Sequence, residues 1–121
     1  FISGIDRIQI PCDEELNDKV RAAAGAVEGL ACHQGIIATG DQFVGSKDKL
    51  NRLMEEFGAV ACEMEGGSIG QVCYINKVPF TVVRAISDNA NDDAHMDYPK
   101  FLKIAVKKSF ELLTELMPLL A

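Results

Sequence analysis

No cysteine pair in these 121 residues has C-x-x-C spacing, only two histidines occur, and no apolar run approaches the roughly 20 residues a membrane helix requires. A zinc site therefore lacks ligands, and a membrane-spanning helix lacks length. Nor does the N-terminus carry a basic segment followed by an apolar one, so no targeting segment is expected. Positive charge is also scarce: 12 Lys plus Arg stand against 18 Asp plus Glu, a formal charge of -6. Such a balance repels phosphate backbones and anionic lipid, which argues against nucleic acid or a membrane surface as partner. Cys32, Cys62 and Cys73 lie in or near apolar stretches, where a free thiol behaves as a small hydrophobe. With Cys12 they fit a reducing cytoplasm, and neither metal nor cofactor is expected.

What is present suits a globular α/β chain. Hydrophobic residues make up 48% and charged ones 25%, enough to build a core within one domain spanning 1–121. The chain starts at Phe1, in "FISGIDRIQI", which reads like the middle of a strand and loop and suggests a piece of something longer. Helical spacing of Leu16, Val20, Ala23, Ala24 and Val27 predicts a helix capped by Asp13 and stopped by Gly29. "QGIIATG" predicts a short strand. A second helix is expected from Ser46 to Gly58 with Leu50, Leu53, Met54 and Phe57 buried, followed by strand "AVAC".

A third helix is expected from about Glu65 to Asn76, and "VPFTVVRAIS" has the β-branched, nearly all-apolar character of a strand covered on both faces. The last helix has Asp97 or Tyr98 as cap and Pro99 in its first turn, and should end at Pro118. Alternation of helix and strand predicts a largely parallel sheet, in which ligands gather at the carboxyl ends of the strands. "TGDQF", "EMEGG" and "RAISDNAND" fall at three such ends.

Two patterns in these loops mislead. Gly66-Gly67-Ser68-Ile69-Gly70 satisfies G-x-S-x-G, with an Asp and a His following in chain order. An elbow serine, however, sits directly off its strand, whereas Ser68 falls about a turn into a helix. Asp92, Asp93 and His95 are also sequence neighbours, not contributions from separate loops. "DNANDDAHMD" has no register that gives the oxygen ligands and central Gly of a calcium loop, and reads better as a solvated acidic segment.

Glu63, Glu65, Asp88 and Phe43 each have an ordinary reading: carboxylates solvated at a helix start, a cap after a strand, a core aromatic. Their placement at successive strand ends is less ordinary, because the sheet would bring them together. Arg84, inside an apolar strand, would need a partner, and Glu63 is the candidate.

"GDQFV", "CEMEGGSIGQVCYINKVPFTVVRAISDNAND" and "HMDYPKFL" together resemble the C-terminal half of a 5′-methylthioadenosine/S-adenosylhomocysteine nucleosidase, of the nucleoside phosphorylase family. The resemblance runs from about Leu16 to the end. It implies the C-terminal half of a three-layer α/β/α nucleoside phosphorylase-like fold, a homodimer, and hydrolysis of the N-glycosidic bond of an adenine nucleoside. By the same resemblance Asp88 is the acid that protonates or hydrogen-bonds adenine N7, and Ser87 orients its carboxyl. Glu65 grips the ribose diol, for which a two-oxygen acceptor is well suited. Met64 packs on the ribose, Phe43 stacks on adenine, and the Val44 backbone reads the base edge. Tyr98 lies at the 5′-alkylthio pocket, where relatives often carry Phe.

Glu63 and Arg84 are implied to support the site and position water. The carboxylate that activates the attacking water belongs to the family's N-terminal half, which the resemblance does not cover. A phosphorylase of the same fold, using phosphate in place of water, is the alternative, and a non-catalytic binding module a more distant one.

Overall fold

The computed structural model of the chain describes residues 7–40, 46–86 and 98–121. Its elements run α1 (Glu14–Gly25), β1 (Ile36–Thr39), α2 (Lys47–Phe57), β2 (Ala59–Glu63), α3 (Gly66–Ile75) and α4 (Tyr98–Leu120). Local chemistry sets most of the boundaries. The Asp13 carboxylate accepts the Leu16 N–H at 2.9 Å and Glu14 and Glu15 occupy the first turn, so donors and dipole at the start of α1 are both answered. Ser46 caps α2 in the same way, accepting the Lys49 N–H at 3.2 Å. At the other end Gly58 takes a φ of 66°, and its N–H closes on the last carbonyls.

α1 ends earlier than its sequence suggests. The N–H groups of Ala26 and Val27 bond to the carbonyls of Ala23 and Ala24, a tightening that closes the last turn well before Gly29. α4, in turn, runs past Pro118 to Leu120. A proline this near the helix end removes one donor where solvent can answer the freed carbonyl.

β1 and β2 pair in parallel, joined through α2, with Ala38 opposite Cys62 and Thr39 opposite Glu63; the register shifts between Ile36 and Ile37. α2 lies against both strands, yet Met54 and Phe57, expected in its buried stripe, are exposed and only Leu50 and Leu53 are half-buried. α1 packs along α4. Ala23, Ala24, Val27 and Leu116 supply most of the buried apolar residues there, and Lys108 ties α4 to the turn after α1 by donating to the Glu28 carbonyl at 2.6 Å. α4 carries a second apolar stripe, Leu102, Val106, Phe110, Leu113, Met117 and Leu120, all exposed.

The expected third strand is a correction. Residues 78–86 form no strand among the described residues. Side-chain character makes the segment suitable for a sheet, but a strand exists only where a neighbour completes the ladder. Instead the Asp13 N–H donates to the Phe80 carbonyl at 2.8 Å and the Thr81 hydroxyl donates to the Asn17 side-chain carbonyl, tying the segment to the start of α1.

Candidate active site

The parallel register puts Thr39 and Glu63 side by side at the carboxyl end of the two strands. Glu63 is 7% exposed, the one charged residue among the buried described residues. Its carboxylate is saturated: the Thr39 hydroxyl donates to Oε1, and the backbone N–H groups of Glu65 and Gly66 both donate to Oε2 at 2.6 Å. Glu65 occupies the N-cap position of α3, but its side chain makes no capping bond. Glu63 therefore caps α3 from two residues upstream, and the Glu65 carboxylate is left exposed beside the exposed Met64.

Burial alone would raise the pKa of Glu63. The hydrogen bonds from Thr39, Gly66 and Glu65, with a smaller contribution from the Arg84 charge, outweigh it and hold the carboxyl below the usual glutamate range. A group so bound is a poor proton donor near neutral pH, and its bonds to the Glu65 and Gly66 N–H groups tie down the turn after β2. Because its folded pKa is depressed, the stability it contributes is fully present above the ordinary value of 4.5 and is lost as pH falls through the folded pKa. Glu63→Gln keeps one carbonyl for the backbone donors but loses the charge. In urea unfolding it should lie about 1–2 kcal/mol below the parent at pH 7, with the gap closing in acid below that range. A gap that stayed constant with pH would contradict this.

The expectation that Arg84 is buried in a strand and needs Glu63 as counter-ion is corrected. Arg84 is exposed, so it does not require a buried counter-ion, and it reaches Glu63 only as the least of four favourable influences. The glycines after Glu65 have a steric reason. A Cβ at Gly66 would lie 2.8 Å from a Glu63 carboxylate oxygen, and one at Gly67 would lie 2.8 Å from the Thr39 Cβ. The room they leave is filled by the protein's own side chains. Ser68 is exposed and donates to the Glu65 carbonyl at 2.9 Å, an ordinary first-turn contact.

Of the remaining residues named from the sequence, Phe43, Val44, Ser87 and Asp88 lie outside the described residues, as do Asp92, Asp93 and His95; Tyr98 is the first residue of α4. The structure thus gathers Glu63, Met64 and Glu65 with Thr39 at one strand end. Thr39 is the residue that sequence reasoning missed. The available signal was its place at the start of "TGDQF", the polar stretch at the end of one expected strand, matching that of Glu63 at the start of "EMEGG" after the next.

A family model described as the phosphorylase superfamily matches residues 5–118. The 5′-methylthioadenosine/S-adenosylhomocysteine nucleosidase of Glaesserella parasuis serovar 5 is 40% identical over 103 residues, covering 84% of this chain and 42% of the relative. The aminodeoxyfutalosine nucleosidase of Helicobacter pylori is 39% identical over 110 residues, covering 91% of this chain and 47% of the relative. Among solved structures, a Helicobacter pylori 5′-methylthioadenosine/S-adenosylhomocysteine nucleosidase in complex with a pyrrolopyrimidine-bearing pyrrolidinol superposes with a TM-score of 0.83 at 38% identity. That match covers 98% of this chain and 50% of the other. The chain spans about half the length of the relatives it matches.

Proposed function

Because the chain belongs to the phosphorylase superfamily and has the nucleoside phosphorylase-like fold of its C-terminal half, we propose that it is part of an N-glycosidase hydrolysing 5′-methylthioadenosine and S-adenosylhomocysteine. The observation that carries this reading is the turn after β2. Glu63 takes over the capping of α3, so the Glu65 carboxylate stands exposed beside Met64 at a strand end, as a ribose-binding acceptor would. Similarity to named nucleosidases at 39–40% identity supports the same substrate class.

In this reading the bond between ribose C1′ and adenine N9 breaks while the water oxygen bonds to C1′. The electron pair of the broken bond leaves on adenine, and Asp88 donates a proton or hydrogen bond at N7. Ser87 orients Asp88, Phe43 stacks on the base, the Val44 backbone reads its edge, and Tyr98 borders the 5′ substituent. Glu65 holds the 2′,3′-diol and favours positive charge developing on the sugar, while Met64 packs on its face. Glu63 and Arg84 support the site. The group that takes the proton from water comes from the other half of the domain. The assembly is a homodimer in the cytoplasm, acting on a small-molecule adenine nucleoside.

The deciding assay gives methylthioadenosine to the full-length protein with and without phosphate and identifies the sugar. Free methylthioribose formed without phosphate is the expected product. A phosphate requirement with sugar 1-phosphate as product would instead establish the phosphorylase reading. Aminodeoxyfutalosine, named for one relative, belongs in the same assay.

A further inference from the structure

The Glu65 carboxylate can act on a ribose only if the backbone that carries it is held, and the residue holding it is itself held by another. Glu65 has φ -122° and ψ -27°, a conformation outside the regular helix, at the junction of β2 and α3. Glu63 Oε2 fixes this junction by accepting the N–H groups of Glu65 and Gly66. Glu63 Oε1 is in turn fixed by the Thr39 hydroxyl, from the neighbouring strand and 24 residues away in sequence.

Thr39 has little freedom of its own. It is level with Glu63 in the parallel register, it is β-branched and therefore restricted at χ1, and Gly67 packs so closely that any Cβ there would collide with it. We propose that Thr39 is a positioning residue for nucleoside binding: through Glu63 it sets the turn that presents the Glu65 carboxylate to the ribose diol.

The inference rests on the ribose role of Glu65 proposed above, and the experiment separates the two. Thr39→Val keeps the shape of the wedge and removes the donor; Thr39→Ser keeps the donor and trims a methyl. In the full-length protein, Thr39→Val should raise the dissociation constant for methylthioadenosine about tenfold, while Thr39→Ser stays within about twofold of the parent. Binding of free adenine, and of the 2′,3′-dideoxy analogue of methylthioadenosine, should be unchanged in both variants. A purely structural role would weaken all three ligands together, and that result overturns the proposal, as does wild-type methylthioadenosine binding by Thr39→Val. Glu65→Ala is the control. If it leaves methylthioadenosine binding intact, the ribose role of Glu65 fails; if it weakens binding while Thr39→Val does not, only the role of Thr39 fails.

Discussion

Replacing Asp88 with Asn in the full-length protein should lower kcat for methylthioadenosine by about 10²- to 10⁴-fold, the range spanned by general acid catalysis. The substitution is nearly isosteric. The Asn amide can still donate a hydrogen bond to N7, so substrate affinity should change little; what it cannot do is transfer the proton that makes adenine a neutral leaving group. The loss therefore falls on kcat and not on KM. Near-ultraviolet circular dichroism and the urea midpoint should match the parent. A non-catalytic binding module would behave otherwise: it would have no turnover to lose, and Asp88→Asn would leave its ligand binding nearly unchanged. Turnover by the variant within a few-fold of the parent would remove Asp88 from the chemistry.

On the proposed reading, in which the water-activating group comes from the other half of the domain, the 121-residue chain alone should show no measurable adenine release, a deficit of at least the same order. Exposed apolar residues give this a physical basis: among the described residues, the outer stripe of α4, Ile69 and Val72 on α3, and Val83 and Ile86 are all exposed. The isolated chain should bind an apolar fluorescent dye strongly. Co-expression with the N-terminal half of the Glaesserella parasuis relative should abolish that binding and bring turnover with it. Adenine release by the 121-residue chain at the rate of an intact enzyme would refute the expectation.

Features decided within a few residues were legible in the sequence. Asp13, Ser46 and Gly58 act where their chemistry places them, because a cap needs only its own turn. The parallel β1–β2 pair also followed from its flanking helices. Features decided by a distant neighbour were not legible. The 78–86 segment has the composition of a strand but no ladder partner among the described residues, and Met54 and Phe57 have helical spacing on a face left exposed. At the candidate site, the sequence separated Glu63 from Glu65 by the expected pairing with Arg84 and by resemblance. It could not show that Glu63 is held by a threonine 24 residues upstream, because a hydroxyl has no visible role until register aligns it.

The parallel pairing of β1 and β2 has a consequence for the order in which the molecule forms. Antiparallel neighbours can meet across a two-residue turn, but these strands cannot align until the whole α2 crossover has closed, and loop-closure entropy opposes that step from the start. The Thr39–Glu63 bond sits at the far end of the register, so it is made only after the crossover is complete. Glu63 can then cap α3, whose run of Gly66, Gly67 and Gly70 gives it weak helical propensity of its own. The turn that carries Glu65 thus depends on a long-range pairing and not on the helical propensity of the residues that follow it.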